Sequence, residues 1–251
     1  MNFYETDRAV AEYLLFHYGS PEQVLPFDFG PVSALNFPTR CVTDCLDRVR
    51  LPSSPRALDL GCAVGRASFE LARFCSQVIG VDYSRRFIET ALDLQEHGLL
   101  EFEHVVEGQL TCRGRALVPA DIDREHVSFE QGDAQQLRAD LGTFDVVLMA
   151  NLIDRLRNPH SCLRQLPGLV KSGGQLIITS PYTWLEQYTP RENWLGGFVQ
   201  NGQRIKSLDS LKRILSPAFE FSFTKDLPFL IREHARKFQW SVAEASVWIR
   251  K

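Results

Sequence analysis

The chain has 251 residues, a formal net charge of -3, 44% hydrophobic and 24% charged residues. That is ordinary globular composition, so a disordered or collagen-like chain is excluded. No basic surplus is available for a nucleic-acid partner, and no window approaches an apolar span of membrane length.

The N-terminal stretch "MNFYETDRAVAEYLLFHYGS" has acidic residues before its apolar run. It lacks the basic region and small-residue cleavage site of a signal peptide. Six cysteines, Cys41, Cys45, Cys62, Cys75, Cys112 and Cys162, are too sparse for a disulfide framework in a chain of this length. Cys41 and Cys45 are four apart, on one face of a helix. No further Cys or His pair completes a zinc pattern. Free thiols, no metal and a cytoplasmic protein are expected.

In chain order, residues 6–18 predict an amphipathic helix, capped by Thr6 and stopped by Gly19. A Pro- and aromatic-rich connector follows, then a second helix over about 39–50. The pattern next becomes an alternation. "RALDLG" and "QVIGVDYS" are strands, separated by the helical "RASFELARFC". "RRFIETALDLQEHG" is a helix with a glycine stop. Residues 101–126 are too long for a connecting loop and form either a hairpin or a lid. "VSFEQGDAQQL" holds a third strand and "FDVVLMANLIDRL" a fourth. "HSCLRQLPGLVKSGG" is a helix with a Gly-Gly exit, and "GQLIITSPY" is a fifth strand. A helix near 207–215 and late strands "FEFSFTKDLPFLIRE" and "EASVWIRK" close the chain. The near-continuous apolar runs fit strands covered on both faces. The expected fold is α/β, a doubly wound, mostly parallel sheet with an antiparallel addition at its C-terminal end. Within one domain, 1–54 reads as a helical cap, 55–182 as the ligand-binding core and 183–251 as a substrate-side extension.

Ligands in such sheets bind at the carboxyl ends of the strands. The turn leaving the first strand is "LDLGCAVGR", Leu58 to Arg66. A dinucleotide fingerprint needs glycine at its first, third and sixth positions. Here those positions hold Gly61, Ala63 and Arg66, so a pyrophosphate is not served in the usual way. The Walker spacing is absent as well.

The turn instead resembles motif I of class I S-adenosylmethionine-dependent methyltransferases. "GVDYS", "GDAQQL", "FDVVLMANLIDRL" and "LVKSGGQLIITSP" resemble the motifs that follow, in order, over about 55–182. The resemblance implies a Rossmann-like methyltransferase fold, S-adenosylmethionine as cofactor and S-adenosylhomocysteine as its product. It places Asp59, Gly61, Cys62 and Gly65 along the turn. Asp82 would accept the ribose hydroxyls, beside Tyr83 and Ser84. Asp133 and Ala134 would face the adenine, and Asn151 and Leu152 would wall the site. From the residues alone, Cys62 reads as packing, Arg66 as a solvated helix start, and Asp154 with Arg155 as a surface pair.

Methyl transfer from a sulfonium mainly needs orientation, so spacing does not name the acceptor. The flanks "NFYETDRAVAEYLLFHYG", "SPYTWLEQYTPRENWLGG" and "LPFLIREHARKFQWSVAEASVWIR" resemble the 4-mercaptohistidine (5-thiohistidine) N1-methyltransferases of ovothiol biosynthesis. That resemblance implies a stand-alone enzyme with thiohistidine as small-molecule partner, and neither nucleic acid nor membrane. The oligomeric state stays open, as do other small-molecule acceptors and a non-catalytic cofactor-binding protein. Candidate acceptor residues are Tyr4, Tyr13, His17, Tyr18, Phe37, Arg40, Tyr182, Asn193, Trp194, Arg232, His234 and Arg236. Tyr4, Tyr182, Asn193 and Arg232 are favoured for substrate binding and catalysis.

Overall fold

A computed structural model describes residues 3–251. Helix α1 (Asp7–Tyr18) starts where expected: the Thr6 hydroxyl accepts the Ala9 N–H at 3.2 Å. It ends as Gly19 N–H donates to the Leu15 carbonyl at 2.9 Å. A single turn, α2 (Pro21–Val24), carries a Ser20/Gln23 capping box. Helix α3 spans Phe37–Thr43, not 39–50. Asp47 is the reason. Its N–H and carbonyl are both held by the Gln175 amide, at 2.9 and 2.8 Å, and a residue clamped on both sides cannot continue a helix.

The alternating region follows as β1 (Arg56–Leu60), α4 (Arg66–Leu71), β2 (Gln77–Asp82) and α5 (Arg85–His97). Residues 101–126 resolve as a hairpin, β3 (Leu99–Glu107) with β4 (Leu110–Leu117). Then come β5 (Val127–Gln131), β6 (Phe144–Ala150), α6 (Pro159–Leu169) and β7 (Val170–Ser180). The Gly-Gly exit is therefore not a loop. β7 already pairs at Val170 with Phe144, and 171–174 bulge before pairing resumes at Gln175. A small hairpin, β8 (Phe198–Gln200) with β9 (Gln203–Ile205), turns at Asn201-Gly202, both with positive φ. Asn-Gly is the strongest short-range hairpin signal, and the sequence reading of 183–206 as an extension without strands missed it. Helix α7 (Ser207–Leu215) leads to β10 (Phe219–His234) and β11 (Lys237–Arg250). β11 starts seven residues before the expected 244, because the two strands pair along nearly their whole length.

The sheet order is β10-β11-β7-β6-β1-β2-β5. The five strands β7, β6, β1, β2 and β5 are parallel, and β11 and β10 are antiparallel. Side chains alternate between two cores. Ala57, Val146, Leu148 and Ile177 pack under α3, α4 and α5. Leu58, Leu60, Val147, Met149 and Leu176 pack under α6 and α7. Burying each such chain is worth ~1.5–3 kcal/mol.

Beyond the end of β7 the long hairpin continues over α1. Leu230 packs with Leu15, Val24 and Leu25, and Phe229 meets Phe16 at 6.1 Å between ring centroids. Its tip reaches the other hairpin, where Ala235 N–H donates to the Val106 carbonyl at 3.0 Å. α1 is thus held between two hairpins at the carboxyl edge of the sheet.

Candidate active site

Strand order reverses between β1 and β6, so the turn after β1 opens at the switch point of the sheet. Gly61 N–H donates to Val81 O at 2.8 Å, and Gly65 N–H to Cys62 O at 2.9 Å. Gly61, Ala63 and Gly65 have φ of 76°, 48° and 85°. A Cβ on Gly65 would lie 2.6 Å from the Phe129 ring, and one on Gly61 2.9 Å from Leu152. Both glycines are thus fixed by conformation and by packing. Ala63 holds the left-handed conformation that glycine has in other turns, at a cost of roughly 1–2 kcal/mol. Its N–H is anchored on Asp82 Oδ2 at 2.9 Å.

Asp82 ends β2 and also accepts Ser84 N–H on Oδ1 at 2.8 Å. Each carboxylate oxygen keeps a second lone pair, as two neighbouring hydroxyls would need. Burial pushes Asp82 up to about 6, opposed by those backbone donors. Asp59 lies deeper, fully buried, with Oδ2 accepting the Ser68 hydroxyl at 2.6 Å. Its Oδ1 is buried without a partner, and burial raises the group to about 7. Cys62 is 3% exposed, and burial holds its thiol protonated. Arg66 is not solvated. It pairs with Glu70 at 3.0 Å, with side chains only 12% and 6% exposed.

Around the adenine expectation, Asp133 Oδ1 accepts Gln135 N–H at 2.8 Å and closes its own turn. Ala134 is buried, with its carbonyl held by Gln165. Tyr83 is exposed. The Ser84 hydroxyl is committed elsewhere: it caps Phe87 N–H at 3.1 Å and donates to the Tyr4 carbonyl at 2.8 Å. Asn151 has φ 51° and accepts the Thr179 hydroxyl at 3.0 Å.

A second group of side chains gathers beside this cradle. Asp154 is fully buried, and its Oδ2 takes Thr183 N–H at 2.9 Å and the Arg155 guanidinium at 3.0 Å. The pair exists, but inside the protein: a carboxylate without exposure cannot be a surface partner. Burial raises the Asp154 carboxyl, and Arg155 opposes that shift. The Arg155 guanidinium lies 4.9 Å from the Tyr188 ring centre. Tyr4 sits against Tyr188, Tyr13 and Phe87, at 6.2, 6.1 and 6.0 Å between centroids. Burial lifts the Tyr4 hydroxyl to about 12 against the opposing charge of Arg155. His17 stacks beside Tyr13, its buried Nδ1 lacks a partner, and burial lowers it to about 3. Tyr18 donates to the Val64 carbonyl at 2.8 Å. Tyr182 has φ 52° and donates to Glu244 Oε2 at 2.9 Å.

The favoured acceptor residues therefore separate. Tyr4 and Tyr182 lie at this edge. Arg232 is buried with Gln23, donating to its carbonyl, in the joint between α2 and β10. Asn193 donates to Arg157 O at 2.9 Å and fastens the turn after Tyr188. Phe37 is core, Arg40 donates to Leu35 O at 2.9 Å, and Trp194 to Thr189 O at 2.8 Å. Arg155 had been read as a surface residue, and Tyr188 and Glu244 had no reading at all. No local pattern could show them, since residues 4, 155 and 188 meet only through the fold, as do 182 and 244. An apolar cleft of about 550 Å³ between Phe27, Phe29 and Trp240 shares no residue with either group. Among the described residues, no His, Cys, Asp and Glu cluster suits a metal ion.

The buried Asp59, the half-buried Asp82 and the open, positive-φ turn fit a nucleoside carrying hydroxyls and a cationic tail. They do not fit a polyphosphate. A family model described as a methyltransferase domain matches residues 37–219. A ubiquinone biosynthesis O-methyltransferase of Maricaulis maris is 33% identical over 127 residues, 50% of this chain and 40% of that one. A 23S rRNA (uracil(1939)-C(5))-methyltransferase of Legionella pneumophila is 36% identical over 186 residues, 71% of this chain and 40% of the other. The chain thus spans less than half of either relative. The YcgJ protein of Bacillus subtilis shares the fold at TM-score 0.51 and 16% identity, covering 80% of this chain and 93% of its own.

Proposed function

The chain belongs to the methyltransferase-domain family, with the class I S-adenosylmethionine-dependent architecture, and from that premise we propose that it methylates an imidazole nitrogen of 5-thiohistidine. The observation that carries this reading is the aromatic and arginine cluster of Tyr4, Tyr13, Tyr188 and Arg155 at the carboxyl edge. A small aromatic amino acid needs aromatic walls and one guanidinium for its carboxylate. Residues 55–182 would hold the cofactor, and 1–54 with 183–251 the acceptor.

The bound cofactor supplies a sulfonium methyl group, which passes in line to the ring nitrogen and leaves a thioether. The chain's own residues orient and enclose. Asp82 holds the ribose edge, and the Gly61–Gly65 turn lets the backbone approach. Arg155, fixed by buried Asp154, takes the acceptor carboxylate. Tyr4, Tyr13 and Tyr188 exclude water and stack the ring. A ring nitrogen with a free lone pair needs no dedicated base. Asn193 and Arg232 are assigned to holding the surrounding turns.

The relatives act on a quinone precursor or on RNA by name. Against RNA, the chain offers a net charge of -3. Mass spectrometry of a reaction with S-adenosylmethionine and 5-thiohistidine should show a gain of one methyl group on the acceptor. No product, with cofactor binding intact by calorimetry, sinks the acceptor and keeps the family.

A further inference from the structure

Glu244 lies on β11 opposite Ser180, the last residue of β7. It is half-buried, and its only hydrogen bond among the described residues comes from Tyr182, at 2.9 Å on Oε2. No Lys, Arg or His lies within ion-pair distance of it among those residues. Across the β10/β11 pair its register partner is Asp226, another carboxylate without an ion-pair partner among them. Like charges directly opposite in a sheet are destabilising. Tyr182 adds a second local cost, a left-handed backbone at φ 52° for a bulky aromatic. Two unfavourable features at one point of the sheet edge, beside Asp154 and Arg155, mark a place built for a ligand.

We propose that Glu244, oriented by the Tyr182 hydroxyl and reinforced by the charge of Asp226, receives the ammonium group of an amino-acid acceptor. This rests on the acceptor being a small amino acid, as in the function proposed above, and adds the group that reads its amine. The donor from Tyr182 occupies one carboxylate oxygen and leaves Oε1 for an N–H donor. Arg155 is held by buried Asp154, whose Oδ2 also holds the backbone of Thr183, the residue after Tyr182. A carboxylate and a guanidinium anchored through adjacent residues, Tyr182 and Thr183, supply the opposite charges that a zwitterion calls for. A neutral quinone precursor would leave the half-buried Glu244 carboxylate without a cation, which is unfavourable. The pair therefore selects amino acids over their deaminated counterparts.

The test compares L-histidine with imidazolepropionate, which lacks only the amine. Calorimetry measures each on the complex with S-adenosylhomocysteine, for wild type and Glu244→Gln. Wild type should prefer L-histidine by about ten- to a hundredfold, the range for one hydrogen bond to a charged group. Glu244→Gln should erase that preference and leave imidazolepropionate and S-adenosylhomocysteine affinities unchanged. Asp226→Asn should reduce the preference by a smaller factor. Equal binding of both compounds by wild type overturns the assignment, as does a preference that survives Glu244→Gln. Loss of S-adenosylhomocysteine affinity in Glu244→Gln also overturns it, since the residue would then be structural. Failure to methylate 5-thiohistidine with the preference intact sinks the proposed acceptor alone.

Discussion

The cofactor cradle and the acceptor edge are built by opposite means. The cradle comes from short, contiguous pieces: one turn from Asp59 to Gly65, and Asp82 at the end of the next strand. Its geometry is carried by backbone, as in the Ala63 N–H on Asp82. The acceptor edge comes from Tyr4, Asp154, Arg155, Tyr182, Tyr188 and Glu244, which lie on five separate segments. Side chains carry it, and one buried carboxylate ties two of those segments together, through Arg155 and the Thr183 N–H. A backbone site is conserved by conformation, whereas a side-chain site is free to change its ligand while the fold stays.

The largest effect that can break this contrast is loss of the tie. Asp154→Ala leaves Arg155 partly buried without its carboxylate and frees the Thr183 N–H, an expected cost of about 3–5 kcal/mol. Thermal unfolding should show the loss. If the variant folds, cofactor affinity should stay near wild type while acceptor binding fails. Equal loss of both would show the two ends to be one unit. Gly65→Ala strikes the other end. The left-handed φ and the contact with the rigid Phe129 ring should together cost about 3 kcal/mol. Here cofactor affinity, read by calorimetry, should fall first.

Smaller effects sharpen the contrast. Asp59 rises from the usual 3.8 to about 7 on folding, through burial. The folded state therefore holds an extra proton between about pH 4 and 7. This contribution to stability is fully present below pH 4 and is lost as pH climbs through 7, by at most about 1.4 kcal/mol per pH unit. Asp59→Asn should flatten that slope in denaturant titrations of the cofactor-free protein. An unchanged slope assigns it to another group. Smallest of all, Asn193→Ala should cost under about 1 kcal/mol, for one half-exposed hydrogen bond. It should leave the KM for the acceptor unchanged. A tenfold rise would move Asn193 into the acceptor site.

The same division explains what could be read from the chain. The parallel core was legible because β1, β2, β6 and β7 are apolar runs that announce their burial. The glycine turn was legible because its spacing excludes a dinucleotide. The end of α3 was not, since Gln175, 128 residues later, clamps Asp47. The bulge in β7 falls where the sequence reads as the exit of a helix, because glycines mark both. Arg232, favoured for substrate binding, is buried and donates to the carbonyl of Gln23, 209 residues earlier, a contact no local pattern announces. Arg155 looked like a surface residue, because nothing near it in sequence shows that Asp154 is buried.

Helix α1 and the hairpin that covers it are separated by some two hundred residues. During synthesis the helix emerges early and its covering strand late. At about 5–20 residues per second the interval is roughly ten to forty seconds. Through that time Leu15 and Phe16 have no Leu230 or Phe229 to meet. The nascent chain therefore carries an uncovered apolar helix on the ribosome. The β10/β11 hairpin can close over α1 only after that interval.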